Sequence, residues 1–199
     1  MKNFSISKII AATLGAVIVV LAIAFTLQAQ TSTLNVKPGS RITYTMQSSS
    51  SAQEVNVIVN TLVPTISFKW NSPDNQYGKV IMSNEAFANG KKLASMLFDD
   101  PNGDFGFFWL SQNMFNELSQ GKTTFTLNNG VKVSGVQNGG IEQIQIKVNG
   151  VMKSVSVIHA KPVLPTGGEE FFVLNDPKNP LIIRMKTSEG GFSLTSITE

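Results

Sequence analysis

The stretch Gln143-Ile144-Gln145-Ile146-Lys147-Val148-Asn149-Gly150-Val151-Met152-Lys153-Ser154-Val155-Ser156-Val157 decides the fold. Ile144, Ile146 and Val148 alternate with Gln143, Gln145 and Lys147, and the chain then reverses into Val151, Val155 and Val157. A period of two sends successive side chains to opposite faces of a strand. Asn-Gly between two such runs supplies the positive φ angles that a type I′ turn requires. The segment therefore reads as an antiparallel hairpin with one apolar and one polar face.

The same alternation extends in both directions. Upstream, Ile42, Tyr44 and Met46 form one strand, and Val55, Val57 and Val59 form its partner beyond the serines Ser48 to Ser51. Pro64 interrupts the pattern before Ile66, Phe68 and Trp70, and a further strand runs from Gly78 to Met82. Asn129-Gly130 joins Phe125 and Leu127 to Val131 and Val133. Downstream of the central hairpin come Phe171 to Leu174, Leu181 to Met185, and a last hairpin through Gly190-Gly191 to Ile197. Two segments have helical spacing instead. Ser83 caps a helix predicted over 84–98, with Phe87, Leu93, Ala94, Leu97 and Phe98 on one face, and Ser111 caps a second over 112–120. Gly90 weakens the first, by about 1 kcal/mol relative to alanine.

These elements imply an α+β fold that is mainly antiparallel β. We expect one large curved sheet or incomplete barrel of about 10–12 strands, with two short helices on its concave side, because open sheets that wide rarely stay flat. Residues 36–199 form a single β-rich domain on this reading.

The amino terminus has a different character. Lys2 and Lys8 precede an uncharged run from Ile9 to Leu27, followed by Ala29. A basic segment, an apolar segment and a small residue make up an export signal, with cleavage expected after Ala29. The run is also close to the roughly 20 residues that cross a bilayer, so a retained anchor is the alternative for residues 1–29, with membrane contact confined to residues 9–27. Both readings place the body of the protein in the periplasm or cell envelope.

The chain has 199 residues, of which 42% are hydrophobic and 15% charged, and it has no cysteine. Disulfide scaffolds, thiol nucleophiles and cysteine-ligated metals are excluded. Without residues 1–29, 14 basic residues face 13 acidic ones, a formal charge of +1. No basic cluster offers the electrostatic footprint of nucleic-acid binding.

Catalytic and metal motifs fail on identity or spacing. His159 is the single histidine, at the end of the strand Val155, Val157, His159, and no G-x-S-x-G elbow accompanies it. It is expected to be structural or exposed. Gly121-Lys122-Thr123 ends like a phosphate-binding loop, but Asn116 stands where the first glycine belongs. Asp100, Asn102 and Asp104 have the spacing that opens a calcium loop, but Phe105 and Ser111 occupy the positions that need glycine and glutamate. Glu169 and Glu170 have no partner carboxylate placed for glycoside hydrolysis. No catalytic residue, metal site or cofactor is expected.

Aromatic residues remain. Phe105, Phe107 and Trp109, together with Phe68 and Trp70, are candidates to line an apolar ligand site on the concave face. Ordinary core is the competing reading, since neighbours such as Phe107 and Phe108 point to opposite faces of a strand.

The run from Phe171 to Met185, the closing Gly191 to Ile197 and the early Pro38 to Tyr44 resemble the two ends of exported domains of unknown function related to lipoprotein carriers. The resemblance implies an incomplete antiparallel barrel whose concave side is filled by helices and sometimes holds an apolar ligand. The expected function is that of a non-catalytic envelope protein binding an apolar or amphipathic ligand, such as lipid or lipoprotein. The alternative is an envelope interaction protein with a packed core, acting on a protein partner through a strand edge or assembly surface.

Overall fold

Asn149 and Gly150 adopt φ of 50° and 83°, so the central hairpin turns where its sequence demands. The structure is a computed structural model, and it describes residues 33–48, 51–94, 103–127, 132–163, 168–187 and 190–199. Residues 1–29, the expected export signal or anchor, lie outside the described residues. So do Leu97, Phe98, Asp99, Asp100, Asn102 and the Asn129-Gly130 turn. Among the described residues no helix is long and apolar enough to cross a membrane.

The strands are β1 (Arg41–Ser48), β2 (Ala52–Thr61), β3 (Ile66–Asn71), β4 (Tyr77–Met82), β5 (Lys92–Leu93), β6 (Lys122–Leu127), β7 (Lys132–Val148), β8 (Val151–Pro162), β9 (Glu170–Leu174), β10 (Ile182–Thr187) and β11 (Gly190–Thr198). The helices are α1 (Asn84–Asn89) and α2 (Gln112–Ser119). All eleven strands belong to one sheet, in the order β4-β3-β2-β1-β11-β10-β9-β8-β7-β6-β5. The expected curved, mainly antiparallel sheet with two helices is what forms.

Curvature has identifiable causes. Tyr44 pairs with Leu194 but Thr43 pairs with Ser196, so Thr195 is an extra residue in β11. Its hydroxyl donates to the Thr43 carbonyl at 3.0 Å. That bulge shifts the buried positions of β11 from Phe192 and Leu194 to Ile197, and bulges bend the strand that carries them. A second irregularity lies between Asn138 and Ile141 of β7, where Gly140 has a φ of 116° that suits glycine alone. At its far end β7 reaches β11 in a short parallel pairing of Lys147 with Ser196 and Val148 with Ile197. Strands β7 to β11 thereby form a ring, although the whole sheet is not a barrel.

The outer edges of the sheet are joined by one segment. Gly103 accepts a hydrogen bond from Ser83 N–H just beyond β4 at 3.0 Å. Three residues on, Gly106 N–H donates to Lys92 C=O at 2.9 Å and Ala94 N–H donates to Gly106 C=O at 2.8 Å. Exposed strand edges invite pairing with other chains, and this segment covers the end of one edge strand and the length of the other.

The first helix is shorter than its sequence spacing suggests. It ends at Asn89 rather than running to residue 98, because Gly90 turns to an extended conformation with ψ of 145°. Leu93 and Ala94 are buried as expected, but in and after β5, where pairing with Gly106, Thr126 and Leu127 replaces the helical bonds. Tertiary pairing outweighs local propensity here. The second helix occurs as expected. Ser111 Oγ accepts from Met114 N–H at 3.0 Å and donates to Gly90 C=O at 2.7 Å, which ties the start of α2 to the end of α1.

Glu117 on α2 is hydrogen-bonded by Lys91 and by Thr123 of β6. These two donors, Lys91 foremost, hold its carboxyl below its ordinary range. A depressed acid stabilises the fold above its unfolded pKa of about 4.3, and loses that contribution as pH falls through the folded value. Glu117→Gln is expected to lower the unfolding free energy at neutral pH by about 0.5–1 kcal/mol, the scale of a partly exposed pair. Urea titrations should show that difference shrinking below about pH 4.

Candidate functional site

The aromatic residues singled out by the sequence come together, and they come together as core. The segment from Phe107 to Leu110 runs through the interior, with Phe108 and Trp109 each 1% exposed. Phe108 stacks on Tyr44 with ring centroids 4.1 Å apart and planes 8° from parallel. Phe192 stands edge-on to both, at 5.2 Å from Phe108 and 5.3 Å from Tyr44. Phe68 meets Phe107, Phe108 and Trp109 at 6.2, 5.6 and 5.8 Å. The expectation that only one of Phe107 and Phe108 could face packed surroundings does not hold. Both are buried, because the segment is enclosed on all sides rather than laid along a two-faced strand.

Two polar side chains of this cluster, Tyr44 and Trp109, are bonded inward, whereas the buried Trp70 Nε1 has no partner among the described residues. Tyr44 O–H donates to Ile182 C=O at 3.0 Å, and Ile182 N–H donates to Phe108 C=O at 2.6 Å. Trp109 Nε1–H donates to Asn179 Oδ1 at 2.8 Å, beside a β-bridge between Trp109 and Leu181. Burial pushes the Tyr44 phenol well above its ordinary pKa. Trp70, 7% exposed, lies with its indole against Gly78, where an added Cβ would come within 2.7 Å of Nε1. Phe105 is partly buried and carries Lys92 Nζ 5.5 Å above its ring.

A second constellation crosses β7 to β10. His159 of β8 is directly opposite Phe172 of β9, which is opposite Arg184 of β10. The imidazole stacks on the Phe172 ring at 4.1 Å and 24°. Arg184 Cζ lies 5.2 Å from the centroid of the same ring. His159 Nδ1 is 2.5 Å from Glu142 of β7, and Nε2 is 2.5 Å from Glu170 of β9. The His159 side chain is 10% exposed, against 46% for Glu142 and 31% for Glu170.

This arrangement fixes the ring rather than freeing it. Both nitrogens are engaged, Nδ1 with Glu142 and Nε2 with Glu170. Among the described residues no group of three His, Asp or Glu side chains is arranged to hold a metal ion. Of the weaker acidic candidates, Asp104 is exposed and Glu170 is committed to His159.

Sequence spacing missed Glu142, Phe172 and Arg184 as members of this constellation. Their one sequence signal is a lone cation inside the apolar run Leu181 to Met185 and a doubled aromatic at Phe171-Phe172. The row emerges only with the register of four strands, including a bulge at Ile183.

No protein-family model and no curated protein matches the chain. Among solved structures it is similar to a chain in the complex structure of Pseudomonas aeruginosa MucA/MucB, with a TM-score of 0.39 and 11% identity. The similarity covers 79% of this chain and 50% of that one, so the chain spans about half the length of its neighbour.

Replacing His159 by alanine is expected to cost about 1–3 kcal/mol of unfolding free energy through its lost bonds. Phe172→Ala is expected to cost about 3–5 kcal/mol, as a buried aromatic does. Urea denaturation of the two variants measures both.

Proposed function

We propose that the chain is an exported, non-catalytic protein of the cell envelope that works as an interaction module through its surface. One observation carries this reading. The segment from Phe107 to Leu110 fills the hollow of the sheet with the protein's own side chains, which pack on Tyr44, Phe68 and Phe192. Of the five aromatics that an apolar guest would be expected to meet, Phe68, Phe107 and Trp109 pack on one another. Export is supported by the sequence of residues 1–29, with its two lysines, apolar run and Ala29. The clamped geometry of His159 supports a structural rather than a proton-transferring role.

Mass spectrometry of the protein from its native compartment, intact and after solvent extraction, tests the reading. The expected result is a chain beginning after Ala29, or a full chain if the segment is retained, with no extractable acyl component in stoichiometric amount. An acyl chain at one equivalent would overturn the packed-interior reading and restore that of an apolar-ligand carrier.

A further inference from the structure

We propose that the concavity over β1, β11 and β10 is a binding site for a phosphoryl group. Its shape follows from the register. In one row Thr45, Ser193 and Arg184 are neighbours, and in the next Gln47, Gly191 and Lys186 are neighbours. The middle strand therefore offers only a serine and a glycine between long side chains on either side. A cavity of about 340 Å³ results, lined by Gln47, Arg184, Lys186, Gly191 and Ser193 among others. That volume is at the small end of ligand sites, which begin at about 300 Å³. Gly191 is required on packing grounds too, since a Cβ there would stand 2.2 Å from the Met185 carbonyl oxygen.

Among the described residues that line the cavity, the charged ones, Arg184 and Lys186, are both cations. Arg184 and Lys186 sit two residues apart on one face of β10, about 7 Å along the strand. Among the described residues neither makes a hydrogen bond or an ion pair; the Arg184 guanidinium only packs on Phe172. Glu170, which pairs across from Lys186, is turned to His159 Nε2 through Oε1. Because β9 lies between β8 and β10, the imidazole and the guanidinium approach Phe172 from its two sides. The stack of His159, Phe172 and Arg184, anchored by Glu142 and Glu170, preorganises the guanidinium. Its planar fork of donors matches a phosphoryl group in two-pronged fashion, and the lysine adds a mobile point charge. Two adjacent cations repel each other, and a dianion relieves that repulsion more fully than a single carboxylate. The Ser193 hydroxyl and the Gln47 amide are further donors on the cavity lining.

The full chain titrated with inorganic phosphate, and followed by amide shifts of Gly191 and Ser193, tests the site. Saturable shifts are expected, with affinity falling at least tenfold in the double variant R184M/K186M. Arg184→Lys, which keeps the charge but loses the fork, should weaken binding less, and it serves if the double variant does not fold. Two sources of the group are separated by sedimentation with vesicles. Retention on phosphatidylglycerol but not on phosphatidylcholine identifies a lipid headgroup, and phosphate saturation without vesicle retention identifies a soluble phosphate; either supports the site. Shifts that fail to saturate, that chloride reproduces at equal ionic strength, or that persist unchanged in R184K and R184M/K186M would overturn it. Such failure would leave the packed interior, and the reading built on it, untouched.

Discussion

The chain from Gly103 to Leu110 is the constraint on which the rest depends. A sheet of eleven strands bent by bulges creates a hollow, and an empty apolar hollow forfeits dispersion contacts on every wall. Phe107, Phe108 and Trp109 fill it. Burying an aromatic side chain removes about 150–250 Å² from water, worth roughly 4–6 kcal/mol each as an upper bound. A backbone hydrogen bond contributes about 1 kcal/mol net. Aromatic burial therefore decides that the segment goes inside. The hydrogen bonds from Gly106 to Lys92, and between Phe108 and Ile182, decide where along the sheet it sits.

On the proposed reading, filling the interior in this way moves interaction to the surface. Across β8 to β10 one cross-strand row stacks a buried imidazole, a buried phenyl ring and an exposed guanidinium. Such a stack costs side-chain entropy, which clamping by Glu142 and Glu170 concentrates in one histidine. The stack places the Arg184 guanidinium 5.2 Å from the centre of the Phe172 ring. Edge pairing is the less available route at β5, where Gly106 bonds to Lys92 and Ala94.

Much of the fold was legible because its signals are local. Period-two alternation located β1, β2, β3, β8 and the end of β7, and Asn149-Gly150 named its own turn. Serines at 83 and 111 announced both helices. What escaped was set by distant partners. The helical spacing of Leu93 and Ala94 was real, but Gly106 and β6 offered them a strand pairing that no window around Gly90 contains. Phe107 and Phe108 broke the rule of alternating faces because the whole segment is internal, a fact that depends on Tyr44, Phe68 and Phe192. The row from Glu142 to Arg184 was invisible for the same reason. It is made by cross-strand register, and a bulge at Ile183 sets which side chains of β10 face Phe172.

Native-state hydrogen exchange reports most directly on whether this aromatic segment holds the sheet together. If it does, the amides of Ala94, Gly106 and Ile182 exchange only with global unfolding, at rates matching the centre of β1 and β11. Exchange of these three amides orders of magnitude faster than that centre, as in a loop that opens independently, would contradict it.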